Sequence, residues 1–278
     1  MNIFSHIKKL LSITITISFI ISCEYLDLCS IVNADTVDSR FDENKNYSKH
    51  SNPTINNSKN FSFLVISDTH YYKENFGYGK RLDKLRQDYN ADFLIVNGDI
   101  SQSGLEKQFN LFLDDMTDYN GIIYPVLGNH DIYNNGNKIF GKLLGQFIYS
   151  LEIGNTKLIF LDTATGTFGK KQKNWYEKEL STNKQLLIFT HYNFITGTIQ
   201  EWTSVSNAED EYYFFDINAE YNVKYVISGH LHQNNEEKIR DVTYKTLTTL
   251  KDEKNAVLLI SIKENEITTT LLDLPHLD

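Results

Sequence analysis

Five times in this chain a short apolar run stops at a cluster of aspartate, asparagine or histidine. Phe61-Ser62-Phe63-Leu64-Val65-Ile66 ends in Ser67-Asp68-Thr69-His70, and Phe93-Leu94-Ile95-Val96 ends in Asn97-Gly98-Asp99. Ile122 to Leu127 ends in Gly128-Asn129-His130-Asp131, residues 185–190 in Thr190-His191, and 223–228 in Gly229-His230-Leu231-His232. Short runs of this kind read as buried strands. Helical patterns separate the first three. Residues 80–90 carry Leu82 and Leu85 on one face, and 104–118 carry Leu105, Phe109, Phe112 and Met116 at helical spacing. A βαβαβ order implies a parallel sheet covered by helices. In open α/β sheets ligands bind beyond the carboxyl ends of the strands, so the five clusters point at one site.

The second half changes pattern. Residues 147–153 and 156–162, split by Gly154-Asn155, read as a hairpin. A helix over 170–180 leads into the strand at 185–190, and a helix over 208–221 leads into 223–228. Three further strands without helices, 242–250, 256–263 and 266–272, close the chain. The expectation is a mixed-sheet α/β domain over 61–278, with an antiparallel tail and no second domain.

The first sixty residues read differently. Lys8 and Lys9 precede an apolar run from Leu10 to Ser22, short for a membrane span and laid out like an export signal over residues 1–22. Ile20-Ile21-Ser22-Cys23 resembles a bacterial lipobox, which would leave Cys23 lipidated and the protein held at the cell membrane. Val32-Asn33-Ala34 resembles an ordinary cleavage site, which would leave it secreted, and an uncleaved anchor is the third reading. From Asp35 to Asn60 only Val37, Phe41, Tyr47 and Ile55 are apolar, so residues 23–60 are expected to be a polar tether.

Histidine placement sharpens the site. Of eight histidines, His70, His130, His191, His230 and His232 fall in the clusters, while His6, His50 and His276 do not. Imidazole with carboxylate suits divalent metals. Both cysteines precede residue 30, which excludes a zinc site built on thiolates. Asp68, His70, Asp99, Asn129, His191, His230 and His232 are more ligands than one tetrahedral ion uses. Such a set suggests two ions about 3.5–4 Å apart, the arrangement used on phosphate esters.

In order, Asp68-x-His70, Gly98-Asp99, Gly128-Asn129-His130-Asp131, His191 and Gly229-His230-x-His232 resemble the calcineurin-like metallophosphoesterase family. The resemblance covers roughly residues 61–272. It implies two stacked mixed sheets flanked by helices, in an αββα sandwich. It implies that Asp68, His70 and His232 hold one metal, that Asn129, His191 and His230 hold the other, and that Asp99 bridges them. The cofactors would be two divalent ions, manganese, iron, zinc or similar, acidifying water and neutralising phosphoryl oxygens. His130 would be a catalytic non-ligand that helps stabilise or protonate the leaving oxygen, with Asp131 orienting its ring. Gln102 stands where the purple acid phosphatases carry a tyrosine ligand, which disfavours that branch.

The expected activity is hydrolysis of a small phosphodiester or phosphomonoester, cyclic-nucleotide-like diesters leading. Exonuclease-like action on nucleic acid and a non-catalytic metal-binding lipoprotein are the alternatives. The net charge of −9, which becomes −11 once Lys8 and Lys9 leave with the signal, argues against gripping a long polyanion. Lys73, Lys80, Arg81, Lys170, Lys171 and Lys173 are enough for one small anion but make a poor groove. A non-catalytic metal site would have no use for His130 and Asp131.

Overall fold

The computed structural model describes residues 36–194 and 208–276. The export signal, Cys23 and the alternative site at Ala34 lie outside them. Eleven strands form two mixed sheets among the described residues. In the first, β1 (Asn60–Ile66) runs parallel to β2 (Phe93–Asn97), which runs parallel to β3 (Ile122–Val126). On its other side β1 pairs antiparallel with β10 (Val257–Lys263), and β10 with β11 (Glu266–Leu272). The second sheet has the order β4-β5-β6-β7-β9-β8, from β4 (Tyr149–Ile153), β5 (Thr156–Phe160), β6 (Gln185–Phe189), β7 (Val223–Ser228), β8 (Asn235–Ile239) and β9 (Val242–Thr246).

The two sheets face each other across an aromatic and aliphatic layer that includes Phe63, Val65, Phe93, Ile95, Phe160, Phe189, Ile227 and Ile260. Alternation along each strand sends the next residues outward. Leu64, Ile66, Leu94 and Val96 meet α2 (Tyr78–Tyr89), α3 (Glu106–Asp115) and α4 (Gly136–Leu144) through Leu82, Leu85, Phe109, Phe112 and Phe140. On the opposite side Ile159, Leu186, Ile188 and Val226 meet α5 (Lys170–Leu180) and α6 (Ala208–Glu220) through Tyr176, Leu180 and Phe214. The result is the expected four-layer αββα sandwich.

Three local readings need correction. The helix over 104–118 is shorter, with Leu105 as its N-cap and Met116–Asp118 tightened into a 3-10 turn. The run 242–250 stops being a strand at Thr246, and its partner β8 (Asn-Glu-Glu-Lys-Ile) escapes the apolar pattern because it is an exposed edge. Helix α4 was not foreseen, since Gly136 and Gly141 lower its intrinsic propensity. Gly141 is required there because a Cβ would stand 2.3 Å from the Tyr47 ring.

The polar segment before β1 is not a free tether from residue 36 onward. Thr36 caps α1 (Val37–Asn44) by accepting from the Ser39 N–H at 3.2 Å. Arg40 is fully buried and forks onto Asp162, with Nε 2.6 Å from Oδ2 and a terminal nitrogen 2.9 Å from Oδ1. Asn44 donates to the Ile148 carbonyl and accepts from the Phe147 N–H. His50 packs 4.3 Å from the Tyr149 ring and bonds the Gln146 carbonyl, while Tyr124 donates to the Ser51 carbonyl. Polar groups anchor this segment, which is why an apolar count missed it.

Candidate metal and catalytic centre

Every cluster from the sequence reaches one edge of the sandwich, at the carboxyl ends of β1, β2, β3, β6 and β7. The backbone there is bent hard. Asp68, His70, Asp99, His230 and His232 all have positive φ, at 56°, 46°, 50°, 71° and 51°. Such conformations cost non-glycine residues about 1–3 kcal/mol each and concentrate at functional sites. Gly98, at φ 92°, lets the β2 loop pass under His191, where a Cβ would lie 2.3 Å from Nδ1.

Each carboxylate gives one oxygen to the protein and turns the other inward. Asp68 Oδ2 accepts from the Ser67 hydroxyl and the His230 N–H, whereas its buried Oδ1 satisfies no hydrogen bond. Asp99 Oδ1 accepts from the His130 N–H at 2.9 Å. Its Oδ2 lies 3.2 Å from His191 Nε2, 3.7 Å from His70 Nε2 and 4.0 Å from His130 Nε2.

The imidazoles follow the same logic. His191 Nδ1 donates to the Asn97 carbonyl, and its Nε2 faces Asn129 Oδ1 at 3.0 Å and Asp99 Oδ2 at 3.2 Å. A positive charge at this point, a proton on Nε2 or a metal ion in its place, satisfies both oxygens. Nearby, His70 Nε2 and His232 Nε2 face each other at 3.1 Å, with Asp68 Oδ1 3.2 Å from the latter. Donor atoms of Asp68, His70 and His232 fall into one compact group and those of Asp99, His191 and His230 into another, and His70, Asp99 and His130 form a third that overlaps both. Nitrogen and oxygen donors in this arrangement fit two divalent metals.

Electrostatics agree. Burial opposes charge on Asp68 and Asp99, yet the neighbouring imidazoles, His191 foremost, hold both carboxyls below the usual carboxylate range. Burial also opposes charge on His191, but Asp99 and Asp68 outweigh it and push the ring up to about 10. His230, buried beside His191, is pushed down to about 3. The pocket draws positive charge to its carboxylates and keeps His230 neutral, as a metal ligand must be.

One expected role does not survive. Asp131 does not touch the His130 ring. Its carboxylate instead accepts from the Ile100, Ser101 and Gly128 N–H groups and from the Ser101 hydroxyl. His130 Nδ1 bonds the Gln102 carbonyl at 2.8 Å. His130 to Ile132 open as a 3-10 turn, where successive side chains diverge by about 120°, before the backbone breaks at Tyr133 and Asn134. Adjacency in sequence therefore did not give adjacency of the groups.

The sequence reading also missed Thr248 and Thr249. Thr249 donates to the Asp68 carbonyl at 2.7 Å, bracing that strained backbone, while the Thr248 hydroxyl lies between the His232 carbonyl and the Asp252 carboxylate. Their signal was position alone, just beyond β9 at the same edge. Of the basic residues considered for an anion, Arg81 pairs with Glu253, Lys171 with Asp42 and Lys173 with Asp210.

Residues 61–234, more than half of the chain, match the model of the calcineurin-like phosphoesterase family. A "Probable cyclic nucleotide phosphodiesterase" of Ruthia magnifica is 25% identical over 184 residues, covering 62% of this chain and 78% of the relative. One of the same description from Vesicomyosocius okutanii is 23% identical over 190 residues, covering 64% and 82%. Among solved structures, a dimetal phosphatase from Danio rerio shares the fold at a TM-score of 0.59 and 14% identity, covering 76% of this chain and 95% of that one. GAP50, the anchor in the inner membrane complex of Plasmodium, shares it at 0.61 and 14%, covering 77% and 84%.

Proposed function

The chain belongs to the calcineurin-like phosphoesterase family, and from that premise we propose its residue roles, substrate and location. It is a hydrolase of phosphate esters that depends on two divalent cations. Asp68, His70 and His232 would hold one cation, Asn129, His191 and His230 the other, and Asp99 would serve both. The observation that carries this division is the pair of inward donor groups sharing one side of the Asp99 carboxylate. When bound, the two ions polarise the phosphoryl oxygens and acidify water.

The chain's own residues supply the rest. His130 is anchored at Nδ1 by the Gln102 carbonyl and turns Nε2 inward, so the imidazolium donates its Nε2 proton to the leaving oxygen. Asn97 fixes the His191 ring through its carbonyl and ties the β2 loop to the β6 loop by donating to the Thr190 carbonyl. Arg81, Lys171 and Lys173 are engaged elsewhere, so of the six basic residues only Lys73, Lys80 and Lys170 could join the cations and His130 in meeting substrate charge.

The substrate is a small phosphodiester of the cyclic-nucleotide kind. The names of the two bacterial relatives support this, and the net charge of −9 disfavours a long polyanion. The test compares a cyclic nucleotide, a small monoester and a single-stranded oligonucleotide, metal by metal, at matched salt. Preferential turnover of the cyclic diester is expected. Efficient oligonucleotide cleavage with steep salt dependence and little turnover of either small ester would make it a nuclease. The protein acts outside the cytoplasm, held at the membrane through Cys23, a reading supported by Lys8-Lys9, the apolar run and Ile20-Ile21-Ser22-Cys23. Cys23→Ser is expected to release it from the membrane fraction or block its processing. An unchanged membrane fraction with its N-terminus at Asp35 would refute that attachment.

A further inference from the structure

His191 and His230 offer nitrogen to the same donor group, yet the fold orients the two rings by different means. The His191 ring is fixed by its hydrogen bond to the Asn97 carbonyl. The His230 backbone is fixed too, with φ at 71° and its N–H on Asp68 Oδ2 at 3.1 Å. Its ring is not: among the described residues, no protein group hydrogen-bonds either ring nitrogen. Two side-chain torsions separate ring from backbone, and the second of them has a broad preference in histidine. A ligand imidazole is ordinarily aimed by an outer hydrogen bond. Another contact has to aim this one.

Tyr192 supplies it. Its ring lies nearly parallel to the His230 imidazole, with centroids 3.9 Å apart and planes 24° from each other. The His191 ring meets His230 edge-on, at 5.3 Å and 76°, so the flat contact comes from Tyr192. Tyr192 is in turn held by groups that are not metal donors. Its N–H donates to Thr163 Oγ1 at 3.0 Å, and the Thr190 hydroxyl donates to its carbonyl at 3.4 Å. Those two hydroxyls lie 2.7 Å apart, and both threonines are fully buried. The Gly229 N–H donates to the His191 carbonyl at 3.0 Å, which sets the exits of β6 and β7 side by side. The residues that follow that bonded pair, Tyr192 and His230, therefore meet ring to ring. Tyr192 itself is buried in the apolar layer beneath α5 and α6.

We propose that Tyr192 is a positioning residue for the second cation: its ring face, clamped by Thr163 and Thr190, holds the His230 imidazole in the plane in which a ring nitrogen reaches the donor group of Asp99 and His191. This rests on the assignment of His230 as a ligand. The flat face does the positioning and the phenol hydroxyl does not. Loss of the face leaves one cation bound as before and loosens the other by about 3–10-fold, the contribution of one stacked ring pair. His191 keeps its own carbonyl, so the second site is weakened and not abolished.

The experiment uses the full chain in wild-type, Tyr192→Phe, Tyr192→Leu and His230→Ala forms, stripped of metal by chelation and titrated with manganese(II) in equilibrium dialysis. Wild type and Tyr192→Phe are expected to bind two equivalents with the same pair of dissociation constants. Tyr192→Leu keeps the bulk and loses the face, so it should bind one equivalent as wild type does and the other about 3–10-fold more weakly. In metal-free protein the carbon-bound ring protons of His230, identified by their loss in His230→Ala, should resonate upfield under the ring current of Tyr192. That shift should persist in Tyr192→Phe and vanish in Tyr192→Leu. Unchanged binding in Tyr192→Leu, equal loosening of both cations, or failure of phenylalanine to preserve the wild-type constants would overturn the proposal. A wild-type His230 without the upfield shift would overturn it even if Tyr192→Leu does not fold. His230→Ala separates the two levels. If that variant binds both cations with wild-type affinity, the ligand assignment itself fails; if it loses one cation while Tyr192→Leu loosens none, only the positioning role fails.

Discussion

Asp99 is the residue that stands between the two donor groups. One oxygen accepts the His130 N–H, and the other lies within 3.7 Å of both His70 Nε2 and His191 Nε2. Asp99→Asn removes the charge while nearly keeping the shape. We expect fewer than two metal equivalents by elemental analysis, with turnover lost beyond the about 10–100-fold typical of an outer-shell change. Full metal content with normal turnover would refute the shared role. The complementary variant is His130→Ala, which should keep both metals and lose about 10²–10⁴-fold in turnover of poor leaving groups. Loss of metal in that variant would make His130 a ligand. At this scale the sequence was legible because strand ends collect what the chemistry needs. Asp68, His70, Asp99, Asn129, His191, His230 and His232 all come to the same edge. The direction in which a side chain points was not legible. Asp131 was read as the partner of His130, but a 3-10 turn swings the two apart.

At the scale of elements, apolar periodicity located most strands and helices and failed where structure is made by polar contacts. The segment from Thr36 to Lys59 is the clearest case. Its anchor, Arg40 on Asp162, joins residues 122 positions apart, and a tract of asparagine and serine gives no hint of it. Both members are buried, so removing one leaves the other charged and unpaired. Arg40→Ala is therefore expected to cost about 3–5 kcal/mol in denaturant unfolding. A cost under about 1 kcal/mol, the level of a surface pair, would mean that α1 is not anchored there. His50 gives the same segment a pH dependence. Burial holds its pKa below the usual 6.5, against the opposing hydrogen bond to the Gln146 carbonyl. A histidine depressed in the folded state contributes stability above its unfolded pKa. That contribution is lost as pH falls through 6.5 toward the lower folded value, because the unfolded chain takes the proton first. The wild type should lose melting temperature relative to His50→Gln between pH 7 and pH 5. Parallel curves for the two proteins would show that His50 titrates normally.

Over the whole molecule, the two sheets are joined by an apolar layer and, at one edge, by the proposed metal sites. Each donor group takes ligands from both sheets. Asp68 and His70 follow β1 while His232 follows β7; Asp99 and Asn129 follow β2 and β3 while His191 and His230 follow β6 and β7. This distribution explains why no local stretch of sequence carries the site and why five weak motifs in order carry it well. It also ties metal binding to global stability. The positive φ angles at five of these residues are a cost that the fold bears with or without metal. A cation that binds the folded chain and not the unfolded one shifts the equilibrium by mass action, by about 2.7 kcal/mol when free metal is 100 times its Kd. For a domain of this size about 1 kcal/mol moves Tm by roughly 2–4 °C. Chelation should therefore lower Tm by roughly 5–10 °C. Adding back a divalent transition metal should restore it, with the recovery saturating near two equivalents per chain. In Asp99→Asn, where both donor groups are weakened, the shift on chelation should be smaller than in wild type. The same shift in both proteins would place the stabilising ion outside this edge, and no shift in wild type would mean that the ions do not join the sheets.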